Sequence, residues 1–461
     1  MLFNSLEFPL FLGLTMALFY LLRDAGRQRI LLLVASLFFY GYWKWSYLFL
    51  LMASSGIDYL AALGIDRSKN QGSRRAWLIL SLLGNLSILA FFKYSAFFGK
   101  AFIFRDGEVP DWVPVVLPVG ISFYTFQAMS YVIDVYRSRM KAEKSWTSYM
   151  LFITFFPQLV AGPIERAPQL LDQLNKPFLN PDILPGLILI ASGFFKKLLI
   201  ADRLAVYADA VFNRPDAASA PQLILATLFF GFQIYCDFSG YSDIARGCAS
   251  FFGVELMANF RSPYAATDLG DFWRRWHISL SGWFRDYLYH PLGGNRQSKA
   301  RSWLNLFIVF CVSGLWHGAN WTFLLWGAWH GFGLVMQRIL TPVVKMPVFF
   351  SRMLCLFWVF SGWFFFRVNN LEDAIVLFRK LNPSTSWSGS EINLFHSVSE
   401  MSLALLSCLM LLLAERKSLK EWTEFIQNQK LTVKLSLALT AFSLLLWFGH
   451  FKGGDFIYFQ F

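Results

Sequence analysis

Apolar stretches of roughly 20 residues recur along the whole chain between short polar loops, the pattern of helices that cross a bilayer. They predict spans at 6–22, 30–43, 47–65, 76–99, 115–136, 183–207, 221–252, 302–316, 321–340, 348–368, 399–414 and 432–450. The expected class is an all-α polytopic integral membrane protein with about 11–13 transmembrane helices. No polar region is long enough for a separate soluble domain, so one membrane domain is expected over 1–461. N-terminal helices fill 1–114, a core 115–368, and C-terminal helices with an aromatic tail 369–461.

Two stretches depart from simple crossings. Residues 147–165, TSYMLFITFFPQLVAGPIE, close on Pro157, Gly162 and Pro163 and suit a re-entrant or interfacial helix. Residues 268–292, DLGDFWRRWHISLSGWFRDYLYHPL, mix aromatics with Arg and Asp. On one helix, Phe272, Trp276, Trp283 and Tyr287 share a side, as in a segment lying at the interface. An aromatic belt explains that mixture but not His277 at its centre.

The stretch 303–333, WLNLFIVFCVSGLWHGANWTFLLWGAWHGFG, is apolar but broken by Gly314, His317, Gly318 and Asn320. An ionisable residue inside a membrane is a functional candidate by default. Irregular backbone at that depth survives only where protein buries it or a wet cavity bathes it. His317 meets both conditions. His330, 13 residues on, is expected about 20 Å further along the same axis and reads as structural. His290, His396 and His450 fall in loops or at span ends.

Composition agrees. Charged residues are 15% of the chain against about 25% in soluble domains, and the mean hydropathy is +0.46. The net charge of +12 does not point to nucleic acid, because its distribution follows topology. With both termini outward, cytosolic loops hold about 26 of the 41 Lys and Arg and outward loops about seven, as the positive-inside tendency requires. The first apolar run lacks a basic leader and a cleavage site, so a retained first span is expected. Cys236, Cys248, Cys311, Cys355 and Cys408 read as small apolar side chains without disulfide or metal-ligand spacing. No metal motif, Walker loop or dinucleotide fingerprint is present.

Asp237 and Asp243, in YCDFSGYSDIARG, are too costly in an apolar segment to stand unpaired. Arg246 or a hydroxyl is an available partner, in a structural network or as support for a pocket. Arg274, Arg275, Arg285 and Arg296 face the cytosol in this topology. They serve either as positive-inside anchors or as contacts for phosphates.

FQAMSYVIDVYR (126–137), FFPQLVAGPI (155–164), YCDFSGYSDIARG (235–247), DFWRRWHISLSGWFRDYLYHPLGG (271–294) and SGLWHGANWTFLLWGAWHG (313–331) together resemble the membrane-bound O-acyltransferases. The likeness is strongest to the alginate O-acetyltransferase membrane-subunit branch and runs from MLFNSLEF to FIYFQF. The teichoic acid D-alanyl branch matches less well. The resemblance implies a helical ring, thin at its centre, with a funnel from each membrane face. It implies a bacterial plasma (inner) membrane, a catalytic role for His317 and a supporting one for His277. It also implies acetyl-CoA or an acyl-carrier thioester as donor, and a secreted SGNH-type partner. Tyr458, in the closing FIYFQF, resembles a C-terminal tyrosine that accepts the acyl group and relays it; the plain alternative is an interfacial aromatic anchor.

The implied reaction moves an acyl group from a thioester to a hydroxyl. Imidazole suits removal of the hydroxyl proton at neutral pH, which assigns His317 as general base. His277 would orient the thioester carbonyl or steady its oxyanion. Trp316, Asn320 and Asp237 are expected to line the pocket, and Arg274, Arg275 and Arg285 to meet donor phosphates. Alginate, another exopolysaccharide such as cellulose, or peptidoglycan would present similar hydroxyls. D-alanyl transfer, a transporter and a scaffold of a secretion complex are the competing readings; against a transporter, no repeat with matched broken helices is present.

Overall fold

The computed structural model describes the chain apart from residues 101–109, 111, 112, 115, 179–182, 342, 344, 345, 383–391, 393, 396, 452–455 and 458–461. Regular structure among the described residues is helical throughout. Among the described residues six helices are long and apolar enough to cross a membrane: Ser46–Arg67, Gln71–Phe98, Ile183–Phe212, Ala220–Ser250, Val348–Arg367 and Leu431–Phe448. A pair bent by 86°, Val398–Ala414 with Leu419–Gln427, makes up to seven. The all-α, multi-pass class stands, but this number is below the expected 11–13. Glu7–Leu21 has 15 residues and Ile121–Tyr136 has 16, which at about 1.5 Å per residue falls short of a hydrocarbon core of about 30 Å. Trp321–Leu340 has 20 residues, but its His330, Gln337 and Arg338 lower its hydropathy.

The helices group into two compact units, and two of the three boundaries between them along the chain fall inside helices. The first comprises Met1–Ile190 and Ser242–Ala258. There Ser46–Arg67 packs against Gln71–Leu89 and Ile121–Tyr136. Its buried Asp58 accepts hydrogen bonds from Ser81 Oγ and from Asn85 Nδ2, so a carboxylate inside a span is met by neutral donors. The 147–165 segment forms two short helices, Trp146–Thr154 and Phe156–Leu159. Every residue from Ser148 to Glu165 is buried, so this stretch is core of the unit and not an interfacial helix. Glu165 closes it by accepting the Met257 N–H at 2.7 Å.

The second unit comprises Ala191–Tyr241 and Asn259–Phe461. It is built around an antiparallel hairpin of Lys299–His317 and Trp321–Leu340, with Val348–Arg367 packed on the latter. Glycines set the closeness of the hairpin. A Cβ on Gly314 would lie 2.2 Å from the Phe323 carbonyl oxygen, and one on Gly327 would lie 2.3 Å from that of Phe310. Small residues at such sites let helix backbones touch in a membrane, where dispersion drives association. Leu431–Phe448 has no buried residue, and its Leu435, Leu439, Phe442, Leu446 and Trp447 are exposed. An apolar face of this kind belongs against lipid.

Candidate active site

His317 is the last residue of its helix, which stops because Gly318 is extended and Asn320 caps the next helix through the Thr322 N–H. The turn therefore delivers the imidazole to the end of the hairpin. His317 is 3% exposed. Its ring centre lies 5.0 Å from Trp316, 5.0 Å from Trp326 and 5.3 Å from Phe366, all edge-on.

His277 arrives by a break in the 268–292 segment. That segment is not one amphipathic helix, so Phe272, Trp276, Trp283 and Tyr287 do not form one stripe. Leu269–Arg275 ends, and Ile278–Phe284 starts with His277 as its left-handed N-cap residue, φ 42° and ψ 55°. A side chain in this region costs roughly 1–2 kcal/mol. The neighbouring backbone holds it there: Ile278 N–H donates to the Asn259 carbonyl at 2.9 Å, and Arg261 N–H to that of Arg275 at 3.0 Å. The ring meets Phe238 edge-on at 4.6 Å and lies 6.0 Å from Trp316. His277 lies outside the candidate spans, and burial pushes its imidazole down to about 3, so it is neutral near pH 7.

The two imidazole centres are 6.3 Å apart. Even with a nitrogen of each turned to the other, this exceeds hydrogen-bond length, so the two rings do not bond each other directly and are near enough to meet one reacting group from two sides. A base on one side of such a group and a neutral donor on the other is the arrangement an acyl transfer needs. Phe238, Trp326 and Phe366 complete the walls. Sequence reasoning missed them, because phenylalanine and tryptophan in apolar helices carry no signal that separates a site wall from core.

The remaining candidates divide. Trp316, 4% exposed, stands beside both histidines. Asn320 serves local structure: besides capping, its Nδ2 donates to the Asn369 carbonyl at 2.7 Å. His330 is not 20 Å away along one helix axis, because the turn at 318–320 folds it back. Trp326 packs against both histidines, its ring centre 5.1 Å from that of His330 and 5.0 Å from that of His317. Asp237 is buried and accepts from Lys197 Nζ at 2.6 Å, and Lys197 also pairs with Asp202 at 2.8 Å. Lys197 was legible by the same intramembrane-charge argument as the aspartates. In the other unit, Asp243 pairs with Arg246 at 3.7 Å. Arg274 and Arg275 both pair with Asp271, and Arg285 with Asp286; the Arg274 and Arg285 side chains are exposed. Tyr458 lies outside the described residues.

Residues 78–371 match the family model described as MBOAT, membrane-bound O-acyltransferase family. The chain is 40% identical to a probable alginate O-acetylase of Azotobacter vinelandii over 409 residues, 85% of this chain and 79% of that one. It is 39% identical to a peptidoglycan O-acetyltransferase of Helicobacter pylori over 377 residues, 75% of this chain and 72% of that one. Likeness to a teichoic acid D-alanyltransferase of Bacillus subtilis is 28% over 51% of this chain and 62% of that one.

Proposed function

Because the chain belongs to the membrane-bound O-acyltransferase family, an O-acyltransferase of the membrane, we propose that it moves acetyl groups from a cytosolic thioester to a polysaccharide outside the plasma membrane. Acetyl-CoA or an acyl-carrier thioester is the donor, and alginate-like exopolysaccharide or peptidoglycan is the acceptor class. The names of the alginate and peptidoglycan relatives support this choice. The proposal places the enzyme in a bacterial inner membrane with both termini outward, as the loop charges favour. A secreted SGNH-type partner would complete the transfer.

The observation that carries the mechanism is the pair of buried imidazoles 6.3 Å apart. His317 takes the proton of the attacking hydroxyl as its oxygen bonds to the thioester carbonyl carbon. His277 donates a hydrogen bond to the carbonyl oxygen as negative charge develops there. The intermediate collapses by breaking C–S, and the leaving thiolate takes the proton back from His317. In the relay form of this reading the first hydroxyl is that of Tyr458, and its aryl ester passes the acetyl group to the partner or polymer. Arg274, Arg275 and Arg285 would meet the donor's phosphates by exchanging their intramolecular carboxylates for them.

Purified protein incubated with acetyl-labelled thioester and an acceptor tests this. The wild-type chain should release free thiol, and His317→Ala should not, while both elute as folded, monodisperse protein. Unchanged thiol release by the variant would remove the assignment. Tyr458→Phe tests the relay separately: donor use without any labelled enzyme intermediate in either form would eliminate it.

A further inference from the structure

A buried ion cluster holds the chain at Ile457. Lys197 sits in a stretch of π-helix, Phe195–Ala201, a geometry frequent at functional sites. Its ammonium bridges Asp237 and Asp202. The other oxygen of Asp237, Oδ2, accepts the backbone N–H of Ile457 at 2.7 Å. Two further bonds tie the approach of the tail to the same stretch and to the helix that follows it, Asp202–Phe212. His450 N–H donates to the Leu198 carbonyl at 2.9 Å, and Arg203 Nη2 donates to that of Phe448 at 2.6 Å.

The consequence of this catch is where it seats Phe456. That ring, 2% exposed, lies 4.8 Å from Tyr241 and 5.7 Å from Phe238. Phe238 is the residue whose ring meets His277 edge-on at 4.6 Å. Asp237 and Phe238 are adjacent, so the residue that binds the tail and the residue that abuts His277 share one turn of helix.

We propose that Asp237 is a positioning residue for acyl transfer: charged and oriented by Lys197, it pins the backbone at Ile457 and so packs Phe456 behind Phe238 and His277. A structural ion cluster needs only its own charges satisfied. Here one carboxylate oxygen is committed to a backbone amide 220 residues away, and a charge-assisted bond of this kind is about twice as strong as a neutral one. The catch makes the tail part of the active-site wall. The inference rests on the role assigned to His277 above, but not on a chemical role for Tyr458.

The test separates the catch from the ion cluster. Ile457→Pro removes the donated N–H and leaves Lys197, Asp237 and Asp202 intact; Ile457→Ala keeps the N–H and is the control. In the full-length protein, Ile457→Pro should lose amide exchange protection in the peptide containing 456 and 457. Its kcat should fall by on the order of 10- to 100-fold, the scale of misplaced catalytic geometry. KM for the thioester should stay within about twofold, and the melting temperature should not move. Ile457→Ala should keep the exchange protection of that peptide and lose less kcat than Ile457→Pro. If Ile457→Pro does not fold, Phe456→Leu, which keeps burial but removes the ring, should show the same split between kcat and KM. Wild-type kcat in a folded variant whose tail exchanges freely would overturn the proposal, as would a loss confined to the melting temperature. Retained activity in His317→Ala would instead remove the proposed function, so the two failures are distinguishable.

Discussion

The indole of Trp326 stands edge-on to the imidazole of His317, with ring centres 5.0 Å apart and planes 84° from parallel. Because Trp326 is fully buried and follows the hairpin turn, its ring packs the imidazole of His317 on one side. Trp326→Leu should keep the core apolar and free the imidazole to turn. A fall in kcat of on the order of 10-fold or more, with KM little changed, is expected from the loss of orientation. Steady-state kinetics on the purified variant check it; a wild-type kcat would show that the ring is held by other groups.

His277 combines strain and chemistry, and substitutions separate them. Gly accepts the left-handed backbone without penalty, so His277→Gly should recover part of the roughly 1–2 kcal/mol of local strain while losing the donor. A missing oxyanion donor typically costs about 10²–10³ in kcat. His277→Asn, which tolerates this backbone and keeps a donor, should retain more activity than His277→Ala. Thermal unfolding read beside thiol release decides whether strain and function part in this way.

The same residue sets a pH response. Its imidazole is about 3 in the folded chain against 6.5 for the ordinary group, through burial. Between those values the unfolded state binds the additional proton, so His277 weakens stability as pH falls below about 6.5, by up to about 1.4 kcal/mol per pH unit. Melting temperatures measured from pH 7.5 downward should fall less steeply for His277→Asn than for the wild type. Parallel curves would show that this histidine does not carry the effect.

The hairpin should be intolerant of added volume. A methyl group at Gly314 or Gly327 would meet a backbone carbonyl at 2.2 or 2.3 Å, and backbone does not yield as a side chain does. Overpacking costs about 1–3 kcal/mol, so Gly327→Ala should lower the melting temperature and shift His317 with the helix end. Gly13, where an added Cβ meets nothing within 4 Å, is the control that should tolerate Ala.

Much of the site was legible because intramembrane polarity is expensive. His317, His277 and Asp237 all declared themselves as polar groups in apolar surroundings, and all three are buried in one unit. The same reasoning applied to Lys197 would have found the partner of Asp237. The break at Trp276–His277 was not legible: the local pattern favours a continuous helix, and the left-handed residue is imposed by the backbone at Asn259 and Arg261. Nor was the fold-back of His330, since a helical phase computed through Gly318–Asn320 fails once the chain turns there. Hydropathy found most helices, but among the described residues fewer than expected are long and apolar enough to cross: the span expected at 115–136 is a 16-residue helix, Ile121–Tyr136, that carries Gln127 and Asp134.

The position of His317 at the very end of Lys299–His317 has an electrostatic consequence. The aligned peptide dipoles of that helix sum to about half a negative charge at this end. In the proposed mechanism the imidazole there gains positive charge while it holds the proton of the attacking hydroxyl. The terminus thus favours the short-lived charged state over the resting one, by about 0.3–1 kcal/mol at exposed sites and up to about 2 where water is excluded.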